Sequence, residues 1–177
     1  AYLHKKIAAM EREFGYDATY THEMLDASLP AFLKFALFQS MAQHRDSAPR
    51  EAWYAAKLAG AMSEDCGPCS QLVVDMALKA GIDPKILAAL IRGDFTRAGE
   101  HAALGFRYGQ AVAANAPEAL QLALDAKARY GERGLVALAL AVAGARVYPT
   151  LKRGLGHGAA CRKLVVADDV IAVRKAA

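Results

Sequence analysis

Cysteine is scarce in this chain, three residues in 177, which excludes a disulfide framework of the kind that staples small secreted domains. A chain of this length buries roughly two-thirds of its unfolded surface without such staples. Long apolar runs are lacking too. The longest, from Gly134 to Ala145, is shorter than the about 20 residues a crossing helix needs, and Arg133 and Arg146 flank it. It reads as a buried core helix. Neither sign of charge dominates: 22 Lys and Arg against 18 Asp and Glu leave a net charge of +4. The basic residues are scattered, with no stripe suited to nucleic acid. No secretory leader pattern is visible, and a chain that starts at Ala1 is expected to have lost an initiator methionine or a longer leader. The expected compartment is the cytoplasm, with neither nucleic acid nor membrane as a partner.

Apolar residues make up 55% of the chain, and much of that is alanine, which suits close-packed helices better than sheets. Leu3, Ile7, Met10 and Phe14 share one face of a first helix that Gly15 can end. Tyr16 to Ala27 reads as a turn and a short helix. Ser28 caps a third, with Pro30 early in it, whose Phe32, Phe35, Leu37, Phe38 and Met41 make it apolar on more than one side, as in a buried or subunit-contact helix. Ser47 and Pro49 open a helix to about Met62. Asp83-Pro84 begins one that Gly93 stops. Thr96 is expected to cap a long helix through Asn115, Pro117 to start one ending at Tyr130-Gly131, and Pro149 to close the run Glu132 to Tyr148. Leu164 to Val173, rich in β-branched residues, reads as a short strand or an extended arm. No βαβ alternation appears. The pattern predicts a single all-α domain over 1–177 with seven or eight helices. Its parts are N-terminal helices (1–48), a core built on a cysteine pair (49–150), and a glycine-rich segment and tail (151–177).

That pair is Cys66-Gly67-Pro68-Cys69. Pro68 has a fixed φ and no N–H to donate, so it belongs in the first turn of a helix running to Gly81. Cys69 then shares that turn, where unpaired N–H groups and the helix dipole favour a thiolate, the nucleophilic form. The residues match the redox dipeptide pattern of thioredoxins. That family places it after a strand and a tryptophan, whereas Ser63-Glu64-Asp65 on a helical background precede it here, so a thioredoxin fold is rejected.

An all-helical chain with Cys-x-x-Cys at the mouth of a helix resembles the alkylhydroperoxidase D-like, or carboxymuconolactone decarboxylase, superfamily. The likeness runs from Trp53 to Cys161: the cysteine helix ending Lys79-Ala80-Gly81, the short helix closed by Arg92-Gly93-Asp94, and the alanine-rich helices after it. The resemblance implies an AhpD-like helical domain assembled into a homo-oligomer, a trimer or a larger ring, with a dimer as the alternative. It implies a peroxidatic Cys69, a resolving Cys66, a hydroperoxide substrate, and a dithiol protein as reductant. No haem, flavin or metal cofactor is needed by the pair. The family's relay histidine position falls on Val73, and its upstream glutamate position falls near Tyr54. The cysteines match and the relay does not; Glu64, Asp65 or Glu51 are the substitutes for the carboxylate, with Glu64 the chosen catalytic candidate, and His101 or His157 for the histidine.

Each signal has a plainer reading. Cys66 and Cys69 could be ordinary buried cysteines, although packing does not require Gly-Pro between them. Cys66, Cys69, His157 and Cys161 supply ligand types for zinc, but in two distant halves. Glu64 and Asp65 could be plain first-turn acids favoured by the helix dipole. His4, His22 and His44 read as surface residues, and Trp53 and Tyr54 as pocket walls. Two further functions compete with a thiol peroxidase: a helical binding or assembly protein of the same superfamily, and a lactone decarboxylase that needs neither cysteine.

Overall fold

The computed structural model describes residues 1–173; the last four residues of the expected single domain lie outside them. The helices are α1 (Tyr2–Phe14), α2 (Thr19–Ala27), α3 (Leu29–Ala42), α4 (Arg50–Ser63), α5 (Gly67–Lys79), α6 (Pro84–Arg92), α7 (Phe95–Ala98), α8 (Glu100–Ala113) and α9 (Ala119–Gly154). One antiparallel hairpin, β1 (Lys163–Val166) and β2 (Asp169–Ala172), follows them. The fold is all-α apart from that hairpin.

Local chemistry sets most boundaries. Gly15 ends α1 in the left-handed region at φ 57°. The Ser28 side chain accepts from the Ala31 N–H at the start of α3. Asp83 caps α6 and Gly93 closes it at φ 77°. The long helix expected from Thr96 is instead two. Asp94 caps a single turn by accepting from the Arg97 N–H, and Gly99, at φ 82° and ψ 161°, breaks the chain before α8. Pro117 lies in the turn ahead of α9 rather than within the helix. Gly131, at φ 72° and ψ 178°, interrupts α9 at the boundary expected there. Pro149 does not close the run: the helix continues to Gly154 although the Ala145 carbonyl loses its usual donor. Contacts of the added turn hold it, with the Lys152 Nζ donating to the Asp17 carbonyl and Arg153 reaching Glu64.

The centre of the bundle is α4, which packs on α5, α8 and α9. Its approach to α8 is close enough that a Cβ at Gly105 would fall 2.1 Å from the Ala52 carbonyl oxygen, and one at Gly109 2.8 Å from that of Ala56. Small residues on both helices therefore set their separation. Ala55, Leu58, Val74, Leu87, Leu90 and Phe106 fill one core, and Trp53, Tyr108, Leu122, Leu138 and Val142 a second. α9 is long and apolar enough to cross a membrane by length and composition, but it packs against α3, α4 and α8 and is broken at Gly131. The other strongly apolar helix, α3, buries Phe32 and Ala42 yet leaves Leu29, Leu33 and Leu37 at 49%, 47% and 74% exposure.

The hairpin lies over α5. The Gln71 side chain pairs with the β1 edge as another strand would, donating to the Val165 carbonyl and accepting from its N–H, both at 2.8 Å. The chain entering β1 is stitched to the cysteine turn: the Gly67 N–H donates to the Ala159 carbonyl at 3.1 Å, and the Cys161 N–H to the Asp65 carboxylate at 3.0 Å.

Candidate active site

Both cysteines of the pair are buried, Cys66 at 2% and Cys69 at 5% exposure. Cys66 is the N-cap of α5 with extended backbone angles, and Cys69 follows Gly67 and Pro68 in the first turn. Gly67 has a packing reason to be glycine, since a Cβ there would meet the Ala160 carbonyl oxygen at 2.9 Å. The two sulfurs are 2.6 Å apart, within hydrogen-bond reach of each other. Cys69 also touches the Tyr16 hydroxyl at 3.8 Å.

The charge preference within the pair is the reverse of the expected one. The Cys66 thiol is brought down to about 7: the Cys69 thiol donating to its sulfur is the largest cause, the Cys69 main-chain N–H and the Lys152 and Arg153 cations assist, and burial opposes. The Cys69 thiol is pushed up by holding that shared proton against Cys66, then by burial and by the charge on Cys66. One anion is thus spread over two sulfurs, with its proton on the Cys69 side.

Two residues that sequence reasoning passed over complete the site. Lys152, 3% exposed, sets its ammonium 4.7 Å from the Tyr16 ring centre and 5.5 Å from that of Tyr20. Tyr16 is held protonated, far above the usual phenol range, first by burial and then by Tyr20 and the Cys69 charge. It remains a donor beside Cys69. Neither residue lies near the pair in sequence, so no local signal pointed to them.

Cys69, and not Cys66, lines a cavity of about 390 Å³ bounded by α1, α2, α3, α4, α5 and α9. Its wall is mainly apolar, with Ile7, Met10, Phe32 and Phe35 among the contributors, and Val73 lies beside Cys69. The histidine position of the family motif is therefore a dry wall. Tyr54 packs edge-on against Trp53 at 4.9 Å and lines a separate cleft with Arg45 and Arg50.

Glu64 points elsewhere. Its carboxylate accepts from Arg146 at 2.7 Å and from Arg153 at 2.6 Å, with Thr150 at 3.4 Å. Burial works against its charge, but these two guanidinium partners hold the carboxyl below its usual range. It clamps α4 to α9. Asp65, at φ 52°, ties the cysteine turn to Cys161. Glu51 sits in the first turn of α4. His101 is exposed and pairs with the Tyr130 hydroxyl at 2.8 Å, His157 with Glu23 at 2.7 Å. Of the zinc set, Cys161 packs beside Gly67, its thiol pushed up by burial, while His157 is held by Glu23. Among the described residues no group of three or more His, Cys, Asp or Glu is placed to hold a metal ion. His4 and His22, expected as surface residues, stack on each other with ring centres 4.9 Å apart.

No family model, curated protein or solved structure matches this chain.

Proposed function

We propose that the chain is a thiol-dependent oxidoreductase that reduces a hydroperoxide at Cys69 and closes a disulfide with Cys66. One observation carries the reading: a sulfur in the wall of an apolar cavity has a second sulfur 2.6 Å away, outside that wall. A small substrate meets Cys69 there.

In its reactive form the pair holds one proton and one negative charge. As the Cys69 sulfur attacks the terminal oxygen of the hydroperoxide, its proton passes to Cys66, which acts as the base the missing histidine and glutamate would otherwise supply. The O–O bond breaks, Cys69 becomes a sulfenic acid, and the alkoxide leaves toward the Tyr16 hydroxyl, taking up one proton from solvent to give the alcohol. Cys66 then attacks the sulfenic sulfur; the S–O bond breaks, an S–S bond forms, and the Cys66 proton leaves with the hydroxyl as water. A dithiol protein returns two electrons and two protons by exchange. Glu64, in this scheme, is a positioning residue that fixes Arg153 and the turn carrying Lys152.

The layout that resembles the alkylhydroperoxidase D-like superfamily supports this chemistry, as it supports a reducing, cytoplasmic setting and a homo-oligomer. The Leu29, Leu33 and Leu37 stripe on α3 is suited to such an assembly. A second reading, a binding protein with slow redox chemistry, is favoured by the ion pairs that hold Glu64 away from proton transfer.

Stopped-flow mixing of the reduced protein with an organic hydroperoxide separates the two. The peroxidase reading expects one equivalent consumed per dithiol, no burst in Cys69→Ser, and an accumulating sulfenic acid in Cys66→Ser. Consumption at the background rate in the wild type would overturn it.

A further inference from the structure

Lys57 has no part in the thiol chemistry, and burying it is costly. It is the sole charge between Ala52 and Met62, is 5% exposed, and lines the same cavity as Cys69. Its Nζ donates to the Ala42 carbonyl at 3.1 Å, at the C-terminal end of α3, and lies 4.5 Å from the Trp53 ring centre. Among the described residues no carboxylate pairs with it; burial alone acts on its proton, which is brought down to about 8. A buried cation ordinarily has an anionic partner, because desolvation is otherwise uncompensated. Here the space beside it is a partly open, mostly apolar cavity large enough for a small ligand.

We propose that this cavity binds a small monoanionic acid with an apolar body, its carboxylate on the Lys57 ammonium and its body along α1, α3 and α5 beside Cys69. The anion replaces the missing counter-charge, and the aromatic and aliphatic wall accepts the rest. An alcohol of equal length fills the wall and leaves the charge unpaired; an amine places a second cation against the first. That such an acid carries the hydroperoxide reduced at Cys69 rests on the proposed thiol reaction, whereas its binding does not.

The protein's single tryptophan stands against Lys57 and reports the event. Titrations of the reduced protein with octanoate, octanol and octylammonium, followed by Trp53 fluorescence and by calorimetry, should give octanoate a Kd about tenfold or more below that of octanol, as a charge-assisted contact implies, with octylammonium the weakest. In Lys57→Met the octanol affinity should stay within about twofold, showing the cavity intact, and the octanoate preference should vanish. If that variant does not fold, the wild type still decides. The preference should hold below about pH 8 and decline above it as Lys57 loses its proton. The other ionisable groups around the cavity are Lys6 on α1, Tyr16 and Tyr20 at α2, Cys69 on α5 and Tyr148 on α9. Equal affinity for acid and alcohol, no binding of either, or a preference that survives Lys57→Met or high pH would overturn the proposal. A protein inert to peroxide that still selects octanoate would overturn the thiol reaction alone; a peroxide-active protein that ignores octanoate would overturn this site alone.

Discussion

Lys152 and Tyr16, 136 positions apart in the chain, meet in the interior with the ammonium 4.7 Å from the ring centre. The cation helps hold the Cys66 thiol near 7, and the phenol faces the Cys69 sulfur. Lys152→Met should therefore raise that value and slow alkylation at pH 7. Thiolate absorbance followed against pH checks this. The wild type should release one proton per pair near pH 7 and retain the second, because Cys69 is pushed up. The stability sign follows: the folded value of Cys66 lies below its ordinary 9.0. Its contribution is therefore present above pH 9 and lost as pH falls through 7, a trend absent in Cys66→Ser.

Lys57→Met should be more stable than the wild type at neutral pH. Lowering a lysine from 10.5 to about 8 corresponds to about 3 kcal/mol of unfavourable burial. Loss of the Trp53 contact and the Ala42 hydrogen bond offsets about 1–2 kcal/mol of it. A net gain of roughly 1–2 kcal/mol should appear in denaturant melts at pH 7. Between pH 8 and 10.5 the unfolded chain binds more protons than the folded one, so wild-type stability rises with pH and the gap should close. A gap that widens with pH would contradict a buried ammonium.

Glu64→Gln separates a clamp from a base. Its two arginine partners belong to α9, so the change should lower Tm by several degrees, from a loss on the order of 1–2 kcal/mol. The thiol titration should remain near 7 or move slightly lower, since Arg153 keeps its charge and loses its anion. A general base would instead cost roughly 10²–10⁴-fold in peroxide reduction with an unchanged titration.

Gly105→Ala tests the central helix crossing. The new Cβ would lie 2.1 Å from a main-chain oxygen of α4, and neither helix can yield a single side chain to relieve it. A loss of about 3 kcal/mol or more in denaturant melts is expected, at the upper end for overpacking. A change below about 1 kcal/mol would mean that the two helices pack more loosely than described.

The features legible in the sequence were those encoded within a few residues. Ser28, Asp83-Pro84, Gly93 and Gly131 each fix a helix end through local dihedral or capping chemistry, and the structure has each where it was expected. Thr96 failed because Asp94, two residues earlier, offered the Arg97 N–H a stronger acceptor and Gly99 adopted an angle that no spacing reveals. Pro149 failed because Lys152 and Arg153 gain distant partners that outweigh one lost hydrogen bond. In the site, the pair and its helix mouth were local, while Tyr16 and Lys152 arrive by tertiary packing alone. Lys57 did leave a trace. It stands one turn after Trp53 in an otherwise uncharged stretch, which marks a lysine on a buried face.

The Gln71 clasp and the two bonds from the cysteine turn to Ala159 and Cys161 give the tail a hold over the dithiol. Cys66, at 2% exposure, offers a macromolecular donor no surface to attack while that strap is shut. If the pair turns over as proposed, a small oxidant meets Cys69 in the cavity wall, whereas a protein donor would have to wait for the strap to peel. Oxidation and recovery would then run through different doors, the second with its own latch, and the pace of turnover would be set by how often the latch lifts.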